Sequence, residues 1–332
     1  MINGLHMTSK GILVTGGAGY IGSHMVYKLL EENYSPTVVD NLSTGNKSRL
    51  KSDTPLYIFD LNDQKKLADF FQSEKIDVVM HFAASVKVDE SVQDPYLYYQ
   101  NNFFSTLNLL KAMAQHNVKK IIFSSTAAIF GDPQYVPVDE NHPKNPQSPY
   151  GASKLMCEQV LRDFDLAYGI KSVCLRYFNA AGADPLLRTG FSKEDAGHLI
   201  PIVLRSAMQS NKSVKIFGND YDTSDGTCIR DYIHVMDLCQ AHLLALNYLM
   251  ENNQSAVFNL GNGQGYTVKE VVQAVEKVTG KAIEAIDSPR RQGDIAAIVA
   301  DSRGIQEKLC WKPQYPNLEM IAEHAWNWIR KN

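Results

Sequence analysis

The sequence lacks several features that mark particular classes of protein. Its five cysteines are odd in number, widely spaced and without a CxxC pair, so neither a disulfide framework nor a zinc site is indicated. No uncharged stretch approaches the roughly 20 residues that a membrane-spanning helix needs, and the first residues have no apolar segment typical of a signal peptide. We therefore expect a soluble cytoplasmic protein, and residues 1–9 are left out of the fold prediction.

An excess of charge of one sign is missing as well. The chain has 33 lysines and arginines against 36 aspartates and glutamates, a formal net charge of -3, so neither nucleic acid nor an anionic membrane is an expected partner. The histidines form no closely spaced pair, and we expect no bound metal. A chain of 332 residues with 44% hydrophobic content can bury a large core in one large domain or two intimate ones.

Short β-branched runs alternate with longer helical patterns through the first half of the chain, beginning with the runs at Ile12 and Thr37. This alternation is typical of parallel βαβ units, so it predicts an α/β fold with a doubly wound parallel sheet of the Rossmann type. In the second half the alternation breaks into loops and scattered helices. We predict a Rossmann domain over 10–178 and a smaller mixed C-terminal lobe over 179–332, with roughly 231–262 returning to the Rossmann domain.

A glycine motif follows the first predicted strand, with Gly16, Gly19 and Gly22 in GxxGxxG spacing. Glycines permit a tight turn and a close approach of the backbone to a pyrophosphate at the N-terminus of the next helix. The alternative is a strand–helix turn without a ligand. Asp40 ends the second strand, where a carboxylate can bind the ribose hydroxyls of adenosine, which favours NAD over NADP. Asp60, ending the third strand, is either an adenine contact or a turn former.

Tyr150 and Lys154 form a YxxxK pair just after Ser148 and Pro149, which predict the start of a helix. Residues four apart share a helix face, so a cation is expected near the phenol. That cation and a nicotinamide ring would lower the pKa of the phenol and favour its use as a base, although an exposed helix pair is the alternative. Thr126 ends the fifth predicted strand and is the candidate partner of the reacting oxygen, or else a strand-end hydroxyl.

A series of motifs then makes a family resemblance specific. In order they are TGGAGYIGSH, VVDNLSTG, HFAA, SSTAAIFG, PQSPYGASK, LRYFNAAGA, and IFGNDY followed by GTCIRDYIHVMDL. This chain resembles the UDP-galactose/UDP-glucose 4-epimerase family of extended short-chain dehydrogenases/reductases along most of its length. The resemblance implies tightly held NAD, Tyr150 as the base and Lys154 on the nicotinamide ribose. It also implies a 4-keto sugar that turns about its pyrophosphate and is reduced on the opposite face, with no net oxidation.

The resemblance also implies two sets of binding residues and a likeness in assembly. The residues implied for the cofactor are Gly16, Gly19, Tyr20, Ile21, Gly22, Asp40, Asn41, Ser43, Thr44, Gly45, Asp60, Leu61, Phe82, Ala83, Ala84, Asn101, Ser124, Tyr150, Lys154 and Tyr177. The residues implied for the UDP-sugar are Thr126, Phe178, Asn179, His198, Leu199, Phe217, Arg230, Arg291 and Asp294. Arginine suits a phosphate because its planar guanidinium can bind two oxygens, although an inter-lobe salt bridge is the alternative for each arginine. Relatives commonly form homodimers through helices like those after Tyr98 and after Tyr150.

Three positions depart from the family pattern. Val86 stands where some relatives have a lysine, and His198 stands where some have an asparagine. Ile298 replaces a large tyrosine of some members. A smaller side chain beside the hexose would admit an N-acetyl group, which adds UDP-GlcNAc and UDP-GalNAc as substrates, unless Ile298 merely packs against its neighbours.

The residues after Thr126 separate epimerisation from related reactions. Dehydratases and decarboxylases that use the same cofactor and Tyr-Lys pair need an additional acid or base, and this chain has Ala127 and Ala128 at that point. Epimerisation therefore fits better than elimination. Other NAD-dependent UDP-sugar-modifying enzymes, such as a uronic acid 4-epimerase, and a non-catalytic NAD-binding sensor remain the alternatives.

Overall fold

The computed structural model of the chain describes residues 10–191, 197–209, 213–291 and 294–331. Residues 1–9 lie outside this part. The strands are β1 (Gly11–Thr15), β2 (Ser35–Asp40), β3 (Leu56–Ile58), β4 (Val78–His81), β5 (Lys120–Thr126), β6 (Lys171–Tyr177), β7 (Asn179–Ala181), β8 (Val214–Phe217), β9 (Ile229–His234), β10 (Ala256–Leu260), β11 (Gly265–Thr267), β12 (Ala285–Ser288) and β13 (Ala297–Ile298).

The helices connect these strands in the order expected of alternating units. They are α1 (Tyr20–Glu31), α2 (Gln64–Ser73), α3 (Val88–Gln93), α4 (Pro95–Tyr98), α5 (Ser105–Gln115), α6 (Pro149–Tyr168), α7 (Leu199–Met208), α8 (Val235–Asn252), α9 (Val268–Thr279), α10 (Arg303–Leu309) and α11 (Leu318–Lys331). A π-helical turn over Tyr99–Phe104 joins α4 to α5, and short 3₁₀ turns span Lys47–Arg49 and Ala127–Ile129. None of the described helices is long and apolar enough to cross a membrane.

Seven strands form one parallel sheet in the order β10-β6-β5-β4-β1-β2-β3. All four residues of β4 are buried, as expected of a strand covered on both faces. The chain runs outward from β1 to β3 and then crosses to β4 on the other side of β1. In such sheets ligands bind beyond the carboxyl ends of the strands at this switch point. The predicted α/β fold with a doubly wound parallel sheet is confirmed.

Helices cover both faces of the sheet because the side chains of each strand alternate. Ile12 and Val14 pack in one apolar cluster with residues of α1 and α8, among them Leu29 and Leu246. Leu13 lies in the opposite cluster, which α2, α5 and α6 complete. The sheet is therefore the middle layer of three.

A late part of the chain enters the seven-stranded sheet. β10 pairs with β6 at its edge, with Val257 opposite Cys174. β9, which comes earlier, instead lies in a smaller sheet with β7, β11 and β13, and β8 pairs with β12. The helices α7, α9 and α11 enclose a separate apolar cluster beside these short strands. The domain boundaries drawn from the sequence stay predictions.

Candidate functional site

The glycine turn between β1 and α1 is shaped by its three glycines. Gly16 has φ +69°, a left-handed conformation that side chains rarely adopt. A Cβ on Gly22 would lie 2.8 Å from the Cα of Gly17, so α1 packs directly on the turn. The helix has no side-chain N-cap and no acidic residue in its first turn. Its N–H groups and the positive end of its dipole are thus available to an anion such as a pyrophosphate.

Asp40 lies beside this turn at the end of β2. Its Oδ2 accepts a hydrogen bond of 2.9 Å from the backbone N of Ala18, and its Oδ1 accepts one of 2.8 Å from that of Leu42. Burial raises the pKa of the carboxyl, and the two hydrogen bonds partly offset that rise. A Cβ on Gly45 would lie 2.7 Å from Oδ1, so glycine keeps this edge of the carboxylate open. The geometry fits ribose hydroxyls approaching Asp40.

Polar residues after β2 and β3 form the rim of this region. Asp60 accepts hydrogen bonds from Asn41 Nδ2 at 2.9 Å and from the backbone N of Asn62 at 2.8 Å. Ser43 and Thr44 are exposed on the same loop, whereas the side chain of Leu61 is buried in the core. Leu61 therefore has only its backbone to offer a cofactor.

Two of the residues expected near the cofactor turn their side chains elsewhere. The ring of Tyr20 stacks on Phe191 with centroids 3.7 Å apart, and its Oη donates to the carbonyl oxygen of Gly182 at 2.8 Å. Ile21 packs against the core cluster that contains α8. Their backbone groups, at the start of α1, are the parts that face the glycine turn.

The segment after β4 lies against the same turn. A Cβ on Gly16 would be 2.5 Å from the backbone N of Ala83, so this segment approaches closely. The rings of Phe82 and His242 have their centroids 4.8 Å apart. Ala84 is partly exposed. Asn101 donates to Ser85 Oγ at 2.9 Å. The expected cofactor residues from β1 and β4 are thus brought to one edge of the sheet.

Sequence reasoning missed Asn102, which is buried beneath this segment. Its side chain accepts from the backbone N of Ser85 at 2.8 Å and donates to Ser153 Oγ at 3.2 Å. It therefore joins the loop after β4 to α6. Its place in the π-helical turn, a feature often found at functional sites, was not visible in the sequence.

Tyr150 and Lys154 lie on the first turns of α6, which begins as predicted. Ser148 Oγ accepts from the backbone N of Gly151 at 3.2 Å and caps the helix. The buried Lys154 donates to the carbonyl oxygen of Ser124 at 3.0 Å, and its burial lowers its pKa to about 8. The serine is on β5, so α6 faces the carboxyl end of that strand.

The pKa of the Tyr150 phenol reflects the burial of this side chain at the carboxyl end of β5. Burial raises its pKa, and a hydrogen bond with Thr126 lowers it in part. The ammonium of Lys154 contacts the strand, and the predicted lowering of the phenol's pKa by this cation together with a nicotinamide ring stays a prediction. Thr126 is itself buried and also accepts from the backbone N of Ala128 at 3.1 Å. Tyr150 and Thr126 thus form one hydroxyl pair.

Ser124 and Tyr177 form a second hydroxyl pair next to the first. The Oγ of Ser124 is hydrogen-bonded to the Oη of Tyr177, at the adjoining ends of β5 and β6. Burial raises the pKa of Tyr177, which keeps this phenol protonated. Phe178, the next residue, packs in a cluster with Phe130 and Ile298. Ile298 is only 6% exposed, so in the described residues it packs against its neighbours.

Seven of the nine residues expected at the UDP-sugar line one cavity of about 170 Å³. They are Asn179, His198, Leu199, Phe217, Arg230, Arg291 and Asp294. The other two, Thr126 and Phe178, are outside this lining. Lys215 and Tyr232 also line the cavity and were missed. Lys215 precedes Phe217 by two residues on β8, so strand alternation could have found it once the strand was assigned.

The cavity carries a cationic wall. Asp294 is shared by two arginines, with Oδ2 3.0 Å from Nε of Arg291 and Oδ1 3.8 Å from Nη2 of Arg230. Arg230 also donates to the carbonyl oxygen of Ile295 at 3.0 Å, and the guanidinium of Arg291 lies 4.8 Å from the ring centroid of Phe217. One carboxylate is therefore shared between two guanidinium groups. The wall of the cavity keeps a net positive charge, which suits a phosphate group.

The protein has a Rossmann-type α/β fold with a second binding region. This follows from the order of the sheet, the glycine turn, the Tyr-Lys pair and the cation-lined cavity. Among the described residues, no group of three or more His, Cys, Asp and Glu side chains could hold a metal ion. The sequence profile described as "NAD dependent epimerase/dehydratase family" matches residues 12–261. The chain belongs to the NAD dependent epimerase/dehydratase family.

Individual relatives are similar over almost the whole chain. A UDP-glucose 4-epimerase of Halalkalibacterium halodurans is 51% identical over 321 residues, covering 97% of this chain and 96% of the relative. The crystal structure of the UDP-glucose 4-epimerase from Bifidobacterium longum in complex with NAD+ and UDP has a TM-score of 0.92 at 41% identity and covers 97% of this chain and 99% of its own. The UDP-Glc/GlcNAc 4-epimerase of Campylobacter jejuni has a TM-score of 0.85 at 44% identity, with coverage of 98% and 100%. The resemblance seen in the motifs is confirmed.

Proposed function

We propose that the protein catalyses the reversible 4-epimerisation of UDP-glucose and UDP-galactose with bound NAD. The observation that carries the proposal is that Tyr150, Thr126 and Lys154 meet at the carboxyl end of β5, in the same parallel sheet whose first strand leads into the glycine turn. The glycine turn with its uncapped helix suits a pyrophosphate, and Asp40 suits an unphosphorylated adenosine ribose, which favours NAD over NADP. The solved relative from Bifidobacterium longum holds NAD+ and UDP, which supports NAD as the cofactor and a UDP-sugar as the substrate.

Tyr150 is the proposed base and acid of the reaction. NAD, when bound, would supply the hydride acceptor and donor and would add positive charge to the site. Tyr150 takes the proton of the 4-hydroxyl and later returns it to the 4-keto sugar, while Thr126 hydrogen-bonds the reacting oxygen. Lys154, which is buried, would hold the nicotinamide ribose and would favour the phenolate once the site is filled. Ala127 and Ala128 supply no acid or base for elimination.

The cationic cavity anchors the other end of the substrate. Arg230 and Arg291 are proposed to bind the diphosphate, and Phe217, on which Arg291 stacks, is proposed to meet the uracil. Anchoring by the nucleotide leaves the hexose to turn about the pyrophosphate, so that either face of carbon 4 can meet the same cofactor. Catalysis then depends on positioning and on exclusion of water from the keto intermediate.

The range of hexoses is a separate part of the proposal. Ile298 is smaller than the tyrosine of some relatives and packs beside Phe178, and the similar Campylobacter jejuni protein is named a UDP-Glc/GlcNAc 4-epimerase. We propose that UDP-GlcNAc and UDP-GalNAc are also accepted. Incubation with UDP-Glc, UDP-Gal, UDP-GlcNAc, UDP-GalNAc and their uronic acids, with product stereochemistry read by NMR, tests this range. Failure with every UDP-sugar would leave an NAD-binding sensor as the better interpretation.

Assembly as a homodimer is proposed from exposed apolar side chains. Val92 on α3 is 62% exposed, Tyr96 on α4 is 74% exposed, and Leu166 on α6 is 89% exposed. Exposed apolar side chains on these helices favour a protein contact there. Light scattering should give twice the chain mass, and a Tyr96→Glu variant should shift it toward the single chain. We also propose a cytoplasmic location, which fractionation of cells checks.

A further inference from the structure

The catalytic face of α6 continues one turn beyond the Tyr-Lys pair. Tyr150, Lys154 and Glu158 are spaced by four residues and share one face of the helix. Each meets one of the last three residues of β5. Tyr150 is hydrogen-bonded to Thr126, and Lys154 to the carbonyl oxygen of Ser124. The third contact runs from Ser125 Oγ to Glu158 Oε1, at 2.5 Å.

Glu158 also makes a buried ion pair with Arg176 on the neighbouring strand. Arg176 Nε donates to Oε1 at 2.9 Å, and Nη2 donates to Oε2 at 2.7 Å. The two side chains are 3% and 2% exposed. Arg176 stands directly opposite Ser125 in the pairing of β5 with β6. One carboxylate therefore fastens α6 to two adjacent strands.

Arg176 also contacts two residues of the segment that joins β5 to α6. Its Nη1 donates to the carbonyl oxygen of Glu140 at 3.2 Å, and its guanidinium lies 5.5 Å from the ring centroid of Phe130. Phe130 packs with Phe178 and Ile298. In the described part of the chain, neither Glu158 nor Arg176 is among the residues that line the cationic cavity.

We propose that Glu158 and Arg176 are positioning residues, which fix α6 against the ends of β5 and β6 so that Tyr150 and Thr126 meet the same substrate oxygen. This inference rests on the proposed function. In that function the contacts of Tyr150, Thr126 and Lys154 must be available to substrate and cofactor, so they cannot hold the helix in place by themselves. The contacts of Glu158 are made entirely within the protein and persist through the reaction.

A gain in stability is a weak reason for a buried ion pair such as that of Glu158 with Arg176. Taking two charges out of water offsets most of their attraction, and replacing a buried ion pair with apolar residues of similar volume is often neutral or stabilising. Fixed geometry is a different requirement, since a displacement of about 1 Å at reacting groups can cost about 100-fold in rate. The two roles therefore predict different results for an apolar replacement.

The test replaces the polar group as a whole with Ser125→Ala, Glu158→Leu and Arg176→Met. The matched control is Asp165→Leu with Lys171→Met, which removes a partly exposed pair joined at 2.5 Å at the far end of α6. Melting temperature, bound NAD, kcat and KM for UDP-glucose are measured for both and for the wild type. We expect the triple variant to keep its melting temperature and NAD, to change KM less than about twofold, and to lose about 10- to 100-fold in kcat. The control should keep its kcat.

Each outcome decides between the two roles. A triple variant that is as stable and as fast as an active wild type overturns the inference and leaves the proposed function intact. A wild type inactive on every UDP-sugar overturns the proposed function and the inference with it. If the triple variant does not fold, Ser125→Ala alone keeps the ion pair and removes one contact. A fall of kcat with unchanged melting temperature then supports the inference, and unchanged kcat overturns it.

Discussion

Substitution of Gly19 by alanine should separate folding from cofactor binding. Gly19 is the N-cap of α1 with φ -76° and ψ 178°, a conformation that alanine adopts without strain. Among the described residues beyond its chain neighbours, its Cβ would meet the carbonyl oxygen of Gly16 at 3.1 Å, so a shift of a few tenths of an ångström accommodates it. The new methyl group would nevertheless stand where the pyrophosphate approaches the helix. Overpacking by one methyl group costs about 1 to 3 kcal/mol, which corresponds to about 5- to 150-fold weaker NAD binding.

The comparison variant is Gly22→Ala, which should strain the backbone of the folded protein. Its Cβ would lie 2.8 Å from the Cα of Gly17, against an optimal carbon–carbon separation of about 3.5 to 4.0 Å, so backbone must move by about 1 Å. We expect Gly22→Ala to lower the melting temperature and Gly19→Ala to leave it nearly unchanged. Calorimetric titration of cofactor-stripped protein with NAD measures binding, and thermal unfolding measures the fold. Wild-type NAD affinity in Gly19→Ala would refute this placement of the pyrophosphate.

Three further perturbations test other parts of the site. Tyr150→Phe should lower kcat by about 100- to 10,000-fold with NAD still bound, because the proton-transfer group is lost, and a full rate would contradict the mechanism. Arg291→Ala should raise KM more than it lowers kcat, and an unchanged KM would contradict the diphosphate site. Asp231, buried and bonded to the backbone N of Asn262, Gly263 and Ala300, has its pKa raised by burial to about 6. The folded state thus binds the extra proton, and this group's contribution to unfolding free energy should fall by roughly 3 kcal/mol as pH rises from about 4 to 6. Urea unfolding should show a weaker fall in Asp231→Asn, and equal slopes would contradict the shift.

Local features of the sequence were sufficient to predict much of the first domain. The glycine turn and the start of α6 at Ser148 depend on residues close together in the chain, whose backbone preferences act locally. Asp40 was found because it ends the second strand about 20 residues beyond the glycine motif, where this fold places a ribose-binding carboxylate. The alternation of buried runs was sufficient to predict the parallel sheet.

Contacts between distant residues could not be predicted in the same way. Tyr20 looks like a cofactor residue by position, yet its ring stacks on Phe191, far along the chain. Spacing placed Lys154 on the helix face of Tyr150, but it could not show that the ammonium donates to the carbonyl oxygen of Ser124. Lys215 joins the cavity only through the pairing of short strands in the second lobe. Such contacts follow from sheet register and from the docking of segments, which a single sequence does not specify.

The fate of the hydrogen at carbon 4 tests the central claim most directly. Purified protein is incubated with UDP-glucose that carries deuterium at carbon 4, and the UDP-galactose formed is examined by NMR and mass spectrometry. If Tyr150 moves only the hydroxyl proton and the carbon-bound hydrogen returns from the cofactor, the product is inverted at carbon 4 and keeps its deuterium there. Loss of the deuterium to water during inversion, or no inversion at all, would contradict the account.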